Sequence, residues 1–421
     1  MPALWADDAP AASALKWQEK RELYPQGVAS GDPQSGSVIL WTRRPGGNGA
    51  GPTELTVEVA LDQTFEKVVA TAKAALPEVS DWTCRVLAGN LQPHTVYWYR
   101  FADAQGNGSR IGRTITAPAD RGPRPVKFAF VSCQTINEGA QNAYRRMLYE
   151  DRRAAEGNRL DFVLHLGDFI YEVVMYPEDI QTRYDRTIYD IGRVPDARKV
   201  GKFNVPTNIA GYRAVYQAYL KDPDIQDARA HLPFVAMWDN HEFSWQGWQS
   251  FVRFDGKAEP KQSLKVAAMQ AWFEYQPARI VKSGGPSLDR FDGPTVVDAP
   301  IMTFDDSGLG TEPNNLNALG ALTGYRALRY GRNVELLITT SAATGWRSRP
   351  AGPRPQRSGP MTSLACVPRS SSKPSTWGVP MPAASRPTSS AAVQPRSPTT
   401  ARMNRRTRSS VKPSGAGSSS A

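Results

Sequence analysis

One stretch of the chain passes directly from a strand-like apolar run to a cluster of polar side chains. In the segment FVAMWDNHE (234–242), the apolar part is followed at once by Asp239, Asn240, His241 and Glu242. An imidazole can protonate a leaving oxygen, and amide and carboxylate oxygens bind hard cations. Ligands of open α/β sheets gather outside the carboxyl ends of the strands. We therefore predict a functional site at the end of this strand.

Two earlier segments have the same design. VKFAFVSC (126–133) ends at a thiol, and LDFVLHLGDFIYE (160–172) ends at a carboxylate that a tyrosine follows three residues later. The helix-forming run AYRRMLYEDRR (143–153) lies between them, and a right-handed crossover places both strand ends at one edge of a parallel sheet. We expect five side chains to converge there: Cys133, Asp168, Tyr171, Asn240 and His241.

These side-chain types are informative about a metal. Thiolate and phenolate favour a redox metal such as iron, whereas carboxylate and amide oxygens suit calcium, magnesium or manganese. A carboxylate can bridge two ions, and two ions ~3.5–4 Å apart can clamp a phosphoryl group during in-line displacement. In this interpretation Asp168 is the bridge, and His241 lies beside the metals, where it stabilises or protonates the leaving oxygen.

The rest of the sequence predicts the elements that carry this site. Residues 25–118 contain short strand-like runs separated by Gly, Pro, Asn and Asp, which is typical of an all-β sandwich. From residue 126 strands alternate with helices, as in an α/β domain. Helical spacing marks residues 208–220 and 260–273, a hairpin is expected at 328–339, and residues 173–207 form a long excursion near the predicted site. The predicted organisation is an N-terminal extension (1–20), a β-sandwich domain (21–118), a linker (119–125), an α/β domain (126–340) and a tail (341–421).

Composition restricts the function classes. The formal charge of +11 is concentrated in residues 341–421, which hold 13 Lys and Arg and no Asp or Glu; the other 38 basic and 40 acidic residues give residues 1–340 a net charge of −2. The charge therefore indicates no specific nucleic-acid partner. The tail, with 18 Ser, 12 Pro and 11 Arg, is too polar to bury a core, and we expect it to be disordered. Three scattered cysteines form no disulfide framework, no apolar run reaches the ~18 residues of a membrane span, and the chain carries no signal peptide.

Four motifs resemble one known family. The segments YPQGVASGDPQSGSVILWTR (24–43), FAFVSCQ (128–134), LHLGDFIYE (164–172) and WDNHEFSWQGWQ (238–249) resemble, in this order, the alkaline phosphatase D (PhoD) family of the metallophosphatase superfamily. The resemblance covers about residues 20–339. It implies a fibronectin- or immunoglobulin-like β-sandwich followed by a calcineurin-like metallophosphatase core. It also implies an alkaline phosphatase or phosphodiesterase that hydrolyses small phosphate esters by a metal-bound hydroxide, in the periplasm or secreted.

The resemblance assigns roles residue by residue. It implies that Fe3+ is held by Cys133 and Tyr171, and that Asp168 bridges Fe3+ and Ca2+. It also implies that Asn240 binds Ca2+ and that His241 lies next to the phosphate, so that His241 and Asp168 are the catalytic residues.

The chain departs from the family pattern after the hairpin. The family carries an aspartate, arginines and a later Gly-Asp-x-His element there, whereas this chain has Thr340 and no histidine after His241. The tail resembles translation in a shifted reading frame, so we expect the α/β domain to be incomplete. Leaving on the order of 500 Å² of apolar sheet uncovered would forfeit roughly 12 kcal/mol, and residues 126–339 are predicted to fold poorly alone.

Alternative functions stay open at this point. The chain can be a non-catalytic fragment whose β-sandwich acts only as a binding or structural module, or it can bind nucleic acid through the tail. Neither a membrane partner nor an oligomeric state is indicated. Several other residues have a structural interpretation beside a functional one, namely Asp239, His165, His94, His231, Phe243, Trp245, Trp248 and Phe251.

Overall fold

The computed structural model describes residues 3–6, 9–46, 51–254, 256–280 and 290–339, together with the backbone of one short strand at 365–366. All of them belong to one of the two compact units of the chain, Met1–Ser370. Apart from that strand, the tail predicted to be disordered lies outside the described residues. None of the described helices is both long and apolar enough to cross a membrane.

The N-terminal part is built from short strands, as its alternating pattern predicts. The strands are β1 (Ala3–Trp5), β2 (Gln18–Glu19), β3 (Val28–Gln34), β4 (Ser37–Arg43), β5 (Glu54–Ala60), β6 (Val68–Ala75), β7 (Thr83–Gly89), β8 (Val96–Ala102), β9 (Asn107–Gly108) and β10 (Gly112–Ile115). Strands β2, β9, β8, β5 and β6 form one sheet in that order, with β10 paired to β8. An apolar core is shared by this sheet and the sheet that contains β4 and β7. It is filled by side chains of both, such as Leu40, Val57, Val86 and Phe101.

The C-terminal part mixes strands and helices. Its elements are β11 (Phe128–Val131), α1 (Asn142–Arg153), β12 (Phe162–His165), β13 (Val174–Met175), β14 (Thr182–Arg183), β15 (Arg186–Thr187), β16 (Arg198–Val200), β17 (Phe203–Val205), α2 (Ile209–Tyr219), α3 (Pro223–His231), β18 (Phe234–Ala236), β19 (Phe251–Phe254), β20 (Lys257–Pro260), α4 (Gln262–Tyr275), α5 (Pro313–Leu319), β21 (Arg326–Tyr330), β22 (Val334–Ile338) and β23 (Ala365–Cys366). The mixed α/β class is therefore confirmed. The helices α3 and α5 and the short strands within 173–207 were not predicted.

One seven-stranded sheet joins the two parts of the chain. Its order is β1-β7-β4-β3-β18-β12-β11, and β11, β12 and β18 run parallel to one another as predicted. The joint is the parallel pairing of β3 with β18, where Gly31 lies opposite Phe234. A Cβ at Gly31 would lie 2.1 Å from the carbonyl oxygen of Pro277, so only glycine permits this close approach.

The two faces of the parallel strands bury different neighbours because side chains alternate along a strand. Val163 and Ala236 face a core shared with helices α1 to α4. Phe162, Leu164 and Val235 face the hairpin β21–β22 instead. On the outer strand β11, Phe128 is partly buried against this cluster, whereas Phe130 is 70% exposed.

A buried ion pair attaches the hairpin to the N-terminal part. Asp32, which is fully buried, accepts from Arg326 Nε at 2.6 Å and Nη2 at 3.0 Å, and from the backbone N–H of Arg279 at 2.5 Å. The side chain of Arg326 is only 6% exposed. Removing one partner of such a pair leaves an uncompensated buried charge, which costs ~3–5 kcal/mol.

Candidate active site

The carboxyl ends of β11, β12 and β18 lie side by side. The final register pairs Val131 with His165 and His165 with Ala236. Backbone bonds continue this alignment beyond the strands, since Met237 N–H donates to the His165 carbonyl at 2.9 Å and Cys133 N–H donates to the Gly167 carbonyl at 3.3 Å. The loops that follow the three strands therefore meet at one edge of the sheet.

The backbone at this edge is strained at two of the predicted positions. Cys133 and Asp168 adopt left-handed conformations with φ of 56° and 53°. Non-glycine residues in this region cost ~1–3 kcal/mol and cluster at functional sites. Gly167, at φ 97°, allows the loop to approach the next strand end, because a Cβ there would lie 2.5 Å from that of Asp239.

Glu242 connects two of the loops. Its carboxylate is fully buried and accepts from the backbone N–H groups of Asp168 at 3.1 Å, Phe169 at 2.5 Å and Asp239 at 2.6 Å. Burial and the nearby Asp168 raise the pKa of Glu242 well above its usual value, while the three backbone donors act in the opposite direction. This side chain thus fixes the Gly167–Asp168 turn against the 3-10 turn Asn240–Glu242.

Asp168, Cys133 and Tyr171 form a compact cluster. The Cys133 thiol donates to Asp168 Oδ2 at 3.6 Å, and the Tyr171 ring stacks on that of His241. The other carboxylate oxygen, Asp168 Oδ1, accepts from the backbone N–H of His241 at 3.1 Å. These contacts therefore link four of the five predicted site residues, Cys133 and His241 through Asp168 and Tyr171 through His241.

The electrostatics of this cluster fit a bound cation. Desolvation raises the pKa of Cys133, of Asp168 and of Tyr171, and the negative charge of Asp168 raises the first and the third further. Burial and Asp168 also raise the pKa of Asp239 to about 6. A cation would reverse all four shifts by stabilising the anionic forms. Thiol, carboxyl and phenol are also the donor types expected for iron.

Additional donors are needed to complete a metal centre. Within the described ranges, no three or more His, Cys, Asp or Glu side chains are grouped so that they could hold a metal ion. A metal at this edge would therefore take donors of other types, and the phenol of Tyr171 and the amide of Asn240 are available. Asn240 is half-buried at the start of the 3-10 turn. Its backbone carbonyl accepts hydrogen bonds from the backbone N–H groups of Phe243 and Ser244.

His241 is oriented by a second carboxylate. Its ring is 7% exposed, and Nδ1 lies 2.7 Å from Glu172 Oε2. Glu172 also accepts from the backbone N–H of Trp245. The ring stacks on Tyr171, with centroids 4.0 Å apart, and lies parallel to Trp245 at 6.2 Å. Burial alone would lower the pKa of His241, but Glu172, Asp168 and Asp239 raise it above the usual value.

The remaining candidates divide between the site and the core. Asp239 caps the 3-10 turn through a bond from Asn240 N–H at 2.9 Å, and Trp245 is 42% exposed beside His241. The other candidates lie in turns or in packed interiors. His94 pairs with Asp161, and His231 pairs with Asp151. Trp248 stacks on Phe251, and Phe243 is buried.

His165 is buried within its strand. Neither of its ring nitrogens has a hydrogen-bond partner in the described part of the chain. Burial lowers its pKa to about 3, so the ring is neutral.

Sequence analysis gave no role to Glu172 or Glu242, although it placed Glu242 among the polar residues that follow the strand. Each is the carboxylate directly after a predicted site residue, since Glu172 follows Tyr171 and Glu242 follows His241. This adjacency in sequence was a signal that both carboxylates lie near the site. Their hydrogen-bond partners, however, lie in a different loop, and only the folded structure shows which groups these partners are.

Comparisons with known proteins agree on one family. The family model described as PhoD-like phosphatase matches residues 128–340, and the model of its N-terminal domain matches residues 9–118. Alkaline phosphatase D of Bacillus subtilis (strain 168) is 33% identical over 274 residues, which cover 63% of this chain and 43% of that protein. The chain thus spans less than half the length of this relative.

Solved structures include similar folds. One described as the structure of PhoD matches with a TM-score of 0.58 at 26% identity, covering 79% of this chain and 54% of the other. A purple acid phosphatase from yellow lupin seeds is more distant, with a TM-score of 0.34 at 13% identity over 56% of this chain and 39% of the other.

Proposed function

Because this chain belongs to the PhoD-like phosphatase family, we propose that it is a metal-dependent phosphoesterase whose C-terminal part is a calcineurin-like metallophosphatase core. The observation that carries the proposal is the contact cluster of Cys133, Asp168 and Tyr171 beside the Glu172–His241 pair. A thiol, a carboxyl and a phenol can hold a metal once they are deprotonated, and the buried imidazole next to them can transfer the proton in a metal-assisted phosphoryl transfer.

The proposed metals are Fe3+ and Ca2+. Cys133, Asp168 and Tyr171 would hold the iron, and Asp168 and Asn240 would hold the calcium. When bound, the two ions would supply positive charge that polarises the phosphoryl group and activates water. Burial raises the pKa of all three groups, and a bound cation would lower these pKa values by stabilising the anionic ligands.

His241 is proposed as the general acid. Glu172 accepts a hydrogen bond from Nδ1–H, which leaves Nε2 as the nitrogen directed to a substrate. The raised pKa of His241 favours the imidazolium form near neutral pH. The imidazolium would donate a proton from Nε2 to the oxygen of the departing alcohol. Stacking on Tyr171 restricts the ring to the orientation that this transfer needs.

The experiment is hydrolysis of 4-nitrophenyl phosphate and bis(4-nitrophenyl) phosphate by the full chain loaded with Fe3+ and Ca2+. The variant His241→Asn should lower kcat by about 10²–10⁴-fold, the usual contribution of a general acid. His94→Asn is the matched control, because His94 has a φ of 48° that asparagine adopts readily, and its partner is Asp161. A metal-loaded chain that hydrolyses neither ester faster than His241→Asn would refute the proposal.

A non-catalytic role of the β-sandwich is the alternative. It predicts a chain that takes up no iron and shows no visible absorption from thiolate or tyrosinate charge transfer. We also propose a periplasmic or secreted location, which rests on the family resemblance and is tested by fractionating the native host.

A further inference from the structure

A cavity of about 300 Å³ is lined in part by Glu172 and Trp245, two of the residues that contact the His241 ring. Its walls are largely apolar, and they include Val173, Val200, Phe203, Val205 and Phe254. Val173, Val205 and Phe254 are buried, whereas Arg253, which also lines the cavity, is exposed. A cavity of this size and lining fits a small apolar group.

Two residues connect the cavity to the candidate active site. Glu172 lines the cavity and holds His241 Nδ1 at 2.7 Å. Trp245 also lines it, with one ring contact to His241 at 6.2 Å and an edge-on contact to Phe203 at 5.9 Å. A group bonded to a phosphate beside His241 would therefore be one side chain away from the cavity.

The cavity is built by ribbons outside the seven-stranded sheet. Val200, Phe203 and Val205 come from the pair β16–β17, and Phe254 comes from β19. Arg198 lies 4.7 Å over the ring of Phe254, and Arg183 lies 5.8 Å over that of Phe203, which fixes both aromatic walls from outside.

We propose that this cavity binds the alcohol portion of the substrate, and that the preferred substrates are phosphate esters of apolar aromatic alcohols of about two fused rings. The proposal rests on the proposed function and extends it to a substrate class. Aromatic walls favour a flat ring by stacking and edge-on contacts, and the volume accommodates such a ring. The residues that select the alcohol are then separate from those assigned to the metals.

The test uses variants that fill or widen the cavity. Val200→Trp places a large side chain at a half-buried wall position, and Phe203→Ala removes an aromatic wall. Val297→Trp is the matched control, since Val297 is 67% exposed and lies outside the cavity lining. The substrates are 1-naphthyl phosphate and acetyl phosphate, of which only the first carries an apolar ring. Binding of 1-naphthol to the metal-free full chain is measured by equilibrium dialysis.

We expect Val200→Trp and Phe203→Ala to lower kcat/KM for 1-naphthyl phosphate by about 10–100-fold, the range typical of altered apolar pockets. The value for acetyl phosphate should change by less than about twofold, and 1-naphthol binding should weaken in parallel. Val297→Trp should match the unaltered chain in every measurement.

Two results separate this proposal from the function on which it rests. Equal effects on both substrates, with no saturable 1-naphthol binding, would overturn the cavity assignment and leave the phosphoesterase proposal standing. Saturable naphthol binding that Val200→Trp abolishes, without hydrolysis of either substrate, would overturn the phosphoesterase proposal but support the preference of the cavity for aromatic rings.

Discussion

Replacing Glu242 by glutamine tests whether this carboxylate organises the candidate active site. Both residues have the same size, but glutamine has one acceptor oxygen where the carboxylate has two. In the structure one oxygen accepts from Asp168 at 3.1 Å and from Asp239 at 2.6 Å, while the other accepts from Phe169 at 2.5 Å. In either amide orientation, one or two buried N–H groups must face the NH2 group.

The expected cost follows from these bonds. An unpaired buried donor costs ~1–3 kcal/mol, so one or two of them should destabilise the chain by about 1–6 kcal/mol. This is a large fraction of the ~5–15 kcal/mol that stabilises a typical domain. Hydrolysis should fall as well, because the Asp168 and Asp239 turns lose their common partner.

The assay is urea unfolding monitored by tryptophan fluorescence, with iron content and 4-nitrophenyl phosphate hydrolysis measured on the same preparations. Glu335→Gln is the control, since that side chain is 39% exposed and lies 3.8 Å from its partner Arg329. The control should change the free energy of unfolding by less than about 0.5 kcal/mol.

The reasoning is refuted if Glu242→Gln unfolds within about 0.5 kcal/mol of the unaltered chain and retains its iron and its hydrolysis. A stable variant that has lost hydrolysis would instead restrict Glu242 to positioning the site.

Further perturbations address other parts of the structure. Tyr171→Phe should remove the phenolate part of the visible charge-transfer absorption of the iron-loaded chain, as absorption spectroscopy would show, and an unchanged band would exclude phenolate ligation. In the metal-free chain, the Glu172 partner raises the pKa of His241. The imidazolium therefore stabilises the fold fully at pH values below the unfolded-state pKa of about 6.5. That stabilisation is lost as the pH rises through the higher pKa of the folded state. Glu172→Gln should therefore lower the pKa of His241 in an NMR titration and move the alkaline limb of the activity profile to lower pH; no movement would contradict the assigned pair. Asp32→Asn should lower the free energy of unfolding by about 3–5 kcal/mol in urea, because its arginine partner stays buried without a counter-charge, and a loss below about 1 kcal/mol would contradict that account. Wherever the chain self-associates in sedimentation velocity, Phe130→Lys on the outer strand should reduce that association, and an unchanged distribution would show that this strand does not cause it.

The sequence predicted the parallel strands and the edge at which their loops meet. The motifs ending at Cys133, Asp168 and His241 were sufficient for this, because apolar runs and a right-handed crossover determine which strand ends are neighbours. The same logic could not identify Glu172 and Glu242 as partners of particular backbone or imidazole groups. Hydrogen bonds between loops depend on dihedral angles such as the left-handed φ of Asp168, which no periodicity encodes.

Other elements were missed because their signals are short. Helix α3 begins with the N-cap Asp222 and Pro223, a recognisable start, but its nine residues alternate apolar and polar types without a clear apolar face. The ribbons β16–β17 and β19–β20 are three or four residues long, too short for a period of two to stand out. The sequence therefore predicted only that residues 173–207 form a long excursion near the site, and it did not predict the cavity that these ribbons form.

The joint at Gly31 bears on how such a protein can change in evolution. A β-sandwich that only rested against the catalytic part could be lost or exchanged by recombination, as independent modules often are. Here the parallel strands continue into those of the sandwich, and Trp41 donates to the Glu274 carbonyl at 2.7 Å across the boundary. A cut at this boundary would leave a bare sheet edge that invites aggregation. Lineages carrying this arrangement should inherit both parts together, and a natural exchange of the sandwich should be accompanied by changes in β18 and α4.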